Sequence, residues 1–154
     1  MKVLIVFLGL LLINVSFLAY QSDMDRYAKL QTNLKAAAED AAAGASLCQD
    51  EVEYGKGYLV IDDIKAEEYV SFVAEDMKRR LPEYMEADVR YEMKIFDDSK
   101  GYEGAELYDL EKMLPAVWVR FTINSKDIFR LPFLEKTETN RSAVYQWDTW
   151  NGRE

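Results

Sequence analysis

Histidine is absent from these 154 residues, cysteine occurs once, and none of the three prolines precedes Pro82. The first absence removes the commonest general base and metal ligand, which excludes Ser-His-Asp, Cys-His and His-ligated zinc chemistry within one chain. Catalysis would have to rest on carboxylates, lysine or tyrosine. A lone Cys48 cannot close an internal disulfide, and no CxxC pair exists to hold a structural metal. Positive charge is scarce as well: 19 Lys and Arg face 28 Asp and Glu, a net charge of −9. Such a surface lacks the basic groups that displace counterions from a phosphate backbone, so nucleic acid is not an expected partner. At 49% hydrophobic and 13% aromatic residues the chain is nevertheless ordinary for a folded protein.

What is present is concentrated at the start. Val3 to Tyr20 carries no charge and is apolar apart from Gly9, Asn14, Ser16 and Ala19, a run long enough to cross a hydrocarbon core. Residues 1–22 are therefore read as a transmembrane anchor. Retention is expected over signal cleavage, since a cut after Ala19 puts Phe17 at −3 and a cut after Ser22 puts Tyr20 there, where a small residue is wanted. Arg26, Lys29 and Lys35 follow the run and only Lys2 precedes it, so the charge rule alone favours the opposite topology. Asp23 and Asp25 neutralise part of that charge, and the minimal Met1-Lys2 start is typical of exported chains. The expectation is a single-pass cell-membrane protein with a cytoplasmic N-terminus and an extracytoplasmic head.

Residues 23–48 continue as an Ala-rich amphipathic stalk. Tyr27, Leu30, Leu34, Ala37, Ala41, Gly44 and Cys48 fall at alternating three- and four-residue spacing and form one helical stripe, expected to be a helix-packing interface. Its small residues allow close approach. It either covers the chain's own sheet, the favoured reading, or meets helices of other subunits, and Ala36 and Ala43 offer a second small face.

Residues 49–154 read as an α+β head. Tyr58 to Ile61 is expected to be a short strand, and Asp63 to cap a helix carrying Ala66, Tyr69, Val70, Val73, Met77 and Leu81, stopped by Pro82. Val89, Tyr91, Met93 and Ile95 alternate with charged residues, as do Val117, Val119, Phe121 and Ile123 with their neighbours, the period of half-buried strands. A connection over Asn124 to Asp127 and a further alternation at Phe129, Leu131 and Phe133 predict a hairpin, with Pro132 marking an edge. Ala143, Tyr145 and Trp147 predict the last strand. The fold class is thus a long membrane-spanning helix, an amphipathic stalk, and an antiparallel sheet with one additional helix.

Chemistry is sparse. The loop Asp97 to Glu106 fails the EF-hand spacing, since its fifth and sixth positions are Gly101 and Tyr102, and it reads as a solvated turn. Asp62/Asp63 and Glu67/Glu68 are explained by helix capping. Trp147 is assigned to the core; Trp118 and Trp150 are left open between core and binding surface. Cys48 reads as a small hydrophobe. No catalytic residue, cofactor or metal is expected.

The apolar run Val3 to Tyr20 followed by the Ala-rich helix Tyr27 to Leu47 and an antiparallel sheet resembles type IV pilin-like proteins, and within them the TadE-type minor pilins and pseudopilins of tight-adherence systems. The family's processing site is not reproduced: Gly9 lies inside the apolar run, and Asn14 stands at the fifth place after it, where mature pilins carry Glu. The resemblance implies a non-enzymatic, membrane-anchored component of a bacterial pilus or secretion machine, with sister proteins or further copies as partners through the N-terminal helix. A membrane-tethered extracytoplasmic binding or sensor domain is the alternative.

Overall fold

The computed structural model describes residues 2–81, 85–108, 110, 114–126, 129 and 137–147. Helix α1 spans Lys2–Ser46 without a break, about 67 Å at 1.5 Å per residue. No proline interrupts it, and alanine, the strongest helix former, fills its second half. The two halves have different surroundings. Lys2 to Leu18 is exposed throughout, whereas Asp23, Leu30, Leu34, Ala38, Ala41, Ala42, Ala45 and Ser46 are buried.

A short helix α2, Glu51–Gly55, is capped by Asp50, whose carboxylate accepts the N–H groups of Val52 and Glu53. Helix α3 follows at Asp63–Arg80. Its cap is Asp62, one residue before the expected Asp63, and Asp62 accepts from Ile64 and Lys65. Lys78, Arg79 and Arg80 occupy the last turn, where the helix dipole favours cations. The helix ends at Arg80; the expected stop, Pro82, lies outside the described residues.

The sheet has three antiparallel strands in the order β1 (Asp88–Phe96), β2 (Ala116–Asn124), β3 (Glu138–Gln146). Its α+β class and alternating strands β1 and β2 follow the sequence pattern. One face carries Ile95, Val117, Val119, Phe121 and Ile123 into a single core with Leu30, Leu34, Ala38, Ala41, Ala42 and Ala45 of α1 and Ala66, Val70, Val73 and Met77 of α3. On the other face, Phe96 and Ala116 meet Ala105 and Leu110, with Tyr102 and Tyr108 packed against them. The second half of α1 is therefore one layer of the head.

Two elements differ from expectation. Tyr58 to Ile61 forms no strand beyond a single bridge between Gln49 and Ile61. Two of its N–H groups are taken by side chains instead: Leu59 donates to Asp98 Oδ2 at 2.8 Å and Ile61 to Asp97 Oδ2 at 3.0 Å, while Tyr58 donates to the Glu53 carbonyl at 3.1 Å. Carboxylates thus occupy the donors a ladder would use. Strand β2 is paired along its length by β1 and β3, with Glu138 opposite Asn124, so among the described residues the expected pairing of β2 with the Phe129 segment is not found. Phe129 is outside any strand, while Leu131, Pro132, Phe133 and Trp150 lie outside the described residues.

Candidate functional site

Helix α1 stands apart from the other elements, since its first half is apolar and exposed while its second half is buried in the head. An 18-residue window of it has a mean hydropathy of 2.5 and is nowhere buried against the rest of the chain. That window is about 27 Å long, close to the thickness of a hydrocarbon core. One N-terminal helix is thus long and apolar enough to span a membrane. Val3, Leu4, Ile5 and Val6 are each more than 60% exposed, a large cost in water that lipid would remove.

The stripe residues meet the head in different ways. Tyr27 is half-buried, with its ring 5.9 Å from that of Phe129. Leu30, Leu34 and Ala41 are buried, and Ala37 is packed on the core from its edge. Gly44 lies under the Tyr69 ring of α3, and Cys48 sits just past the helix end, half-buried, with its thiol 3.6 Å from the Gly44 carbonyl. Burial, with help from the nearby Asp62 charge, pushes the Cys48 thiol above its ordinary pKa and makes it a poor nucleophile. Ala38, Ala42 and Ala45, outside the stripe, are fully buried. A straight helix repeats every 3.6 residues, so its buried face drifts off a strict heptad. Since α1 also touches both α3 and the sheet, one stripe is too narrow to describe it. The alanine-rich stretch Ala36 to Ala45 shows that a broad smooth face is available for burial, but not which of its alanines are buried.

Two further contacts pin α1 to β3. The Gln31 amide donates to Thr139 Oγ1 near the start of the strand, and Trp147 Nε1–H donates to the Ser46 carbonyl at 2.9 Å just past its end. Strand and helix therefore run side by side in the same direction. Trp147 is half-buried and packs against the core, and it also satisfies a carbonyl that a helix C-terminus leaves without a partner. Trp118 is 7% exposed, with Tyr108 5.0 Å away and the Arg120 guanidinium 4.8 Å over its ring. It is buried beside Tyr108 at the margin of the second small core and is not an open binding surface.

The Asp97 to Glu106 loop is an exposed turn over Asp98 to Lys100, as expected, but Asp97 at its start is buried and acts as a clamp. Asp97 is fully buried; besides Ile61, its carboxylate accepts from Ser99 at 3.0 Å and Lys100 at 2.8 Å. Asp98 accepts from Leu59 and from the Tyr102 hydroxyl at 2.9 Å. Burial, reinforced by that bond to Asp98, raises the Tyr102 pKa well above the ordinary tyrosine value. These carboxylates are committed to structure. Among the described residues no group of three or more His, Cys, Asp or Glu is placed to hold a metal ion.

A groove of about 320 Å³ runs between α1 and α3, with Ala36, Ala37, Val73 and Met77 along it and Asn33, Asp40, Asp76 and Arg80 among its polar lining. Arg80 is held by Asp76 at 2.5 Å. Comparison with known protein families, with curated proteins and with solved structures finds no match for this chain.

Proposed function

We propose that this chain is a non-enzymatic, membrane-anchored, pilin-like component of a bacterial tight-adherence-type pilus or secretion system, with its N-terminus in the cytoplasm and its head outside. The observation that supports the reading is the division of α1: one continuous helix gives its apolar first half to no part of the head, and its second half forms a layer of the head's core. A helix shared in this way couples the head rigidly to whatever its first half meets. Partners in this reading are the membrane and proteins of the same machine, reached through the N-terminal helix.

The test is made on the full-length chain in bacterial cells. Protease applied to intact spheroplasts should remove the head, and a pilus-platform membrane protein should co-purify with the detergent-extracted chain. A head that is protected until the membrane is broken overturns the topology; an accessible head without any such partner overturns the machine. The α1–α3 groove favours one second reading, a tethered binding domain. Loss of a bound small molecule on substitution of Arg80, with no protein partner found, would select it.

A further inference from the structure

Asn14 stands inside the uncharged run Val3 to Tyr20, where hydrocarbon offers no water to its carboxamide. One Nδ2–H donates to the Leu10 carbonyl of its own helix at 2.8 Å. Its Oδ1 and second N–H have no partner among the described residues, and the side chain is exposed. A polar group left half-satisfied at that depth calls for a neighbour in the membrane. The face it occupies is the one turned away from the head: Ala28 and Thr32, about four and five turns further along the same helix, are both exposed. Leu30 and Leu34, on the other side, are buried in the core. A second helix could therefore lie along Leu11, Asn14 and Leu18 without meeting the head.

We propose that Asn14 is the central contact of a parallel pair formed in the membrane by two copies of this chain, each carboxamide donating to the other's Oδ1. The occupant is a second copy because a carboxamide carries both donor and acceptor and so complements itself across a two-fold axis. Two copies anchored by the same span also place Asn14 at the same depth. Any other partner would need its own polar group at that depth and on that face. The proposal rests on the reading of α1 as a membrane span, and does not depend on a pilin-like role.

The test uses full-length chains in native membranes, with Cys48 replaced by Ser and a single cysteine introduced by Leu11→Cys beside Asn14, or by Leu12→Cys on the opposite face. Oxidation should give a homodimer through position 11 and not through position 12. Adding Asn14→Leu should weaken association by about three- to eighteen-fold, from the average to the largest value measured for such bonds between membrane helices. Asn14→Gln should keep the dimer, and Asn14→Ser, which can bond its own helix but reaches less far, should lose most of it. Equal cross-linking from both positions, undiminished dimer in Asn14→Leu, or cross-links only to proteins of other mass would overturn the proposal. A carbonate wash is run in parallel: a chain that stays in the membrane as a monomer overturns the pair alone, and one that washes off overturns the span as well.

Discussion

A Cβ built on Gly44 would lie 2.1 Å from Cε1 and 2.3 Å from Cζ of Tyr69, closer than any real contact allows. The glycine is therefore what lets the Tyr69 ring sit on α1, with its hydroxyl 3.5 Å from Asp40. Gly44→Ala should destabilise the protein by about 1–3 kcal/mol, the usual cost of overpacking. Urea unfolding of the full chain in detergent, followed by tryptophan fluorescence, reads this directly. In a Tyr69→Ala background the clash is gone, and the same change should become neutral or stabilising by up to about 1 kcal/mol through helix propensity. A Gly44→Ala cost that is the same in both backgrounds would mean that the ring is not the obstacle.

Asp97 supports a second prediction. Asp97→Ala removes the acceptor of the Ile61, Ser99 and Lys100 N–H groups at once; the last two are exposed and can turn to water, whereas the Ile61 N–H is left buried without a partner. A loss of about 1–3 kcal/mol is expected. Amide exchange should accelerate at these three residues. Asp97→Asn keeps one acceptor oxygen and should fall between the two. Unchanged exchange at Ile61 would show that the clamp does not hold that segment.

The α3 cap makes stability depend on acid. The N–H of Lys65, its ammonium and the N–H of Ile64 hold the Asp62 carboxyl below its ordinary value of 3.8. A carboxyl depressed in the folded state stabilises fully above its unfolded pKa, and this contribution disappears as pH falls through the folded one. The window therefore opens near pH 4 and extends downward. Asp62→Asn, which keeps an acceptor oxygen but no charge, should show a smaller drop in urea midpoint between pH 5 and 3 than the parent. An equal drop would locate the acid sensitivity elsewhere.

The elements legible in the sequence were those whose pattern is set by one neighbour. Val117, Val119, Phe121 and Ile123 alternate because one face of β2 meets one core, and α3 shows its periodicity and end charges for the same reason. What misled was local resemblance without knowledge of distant partners. Tyr58 to Ile61 has strand composition, but Asp97 and Asp98, far along the chain, take its donors. Asp97 reads as solvated like the exposed residues that follow it, because nothing nearby in the sequence indicates that this one carboxylate is buried. In the candidate site, Leu30 and Leu34 were visible as a hydrophobic stripe. Ala38, Ala42 and Ala45 were hidden by uniformity, since a run of alanine has no periodicity from which to read a buried face.

The alanines give the last prediction. Ala41 is fully buried in the core shared by α1, α3 and the sheet, while Ala28 on the same helix is exposed. Both positions are helical and both accept leucine without a propensity penalty of consequence, so a difference between them reports packing alone. Ala41→Leu forces three extra heavy atoms into a filled space and should cost about 1–3 kcal/mol. Ala28→Leu should change stability by no more than about 0.5 kcal/mol. The same two variants separate the uses of the helix. If Ala41→Leu unfolds more easily in detergent while its cross-linking through position 11 in membranes persists, the small-residue face serves the head and the membrane half serves the neighbour. If Ala41→Leu is as stable as Ala28→Leu, the core around Ala41 is loose enough to accept a leucine, and the close approach of α1 to the head is not a packing requirement.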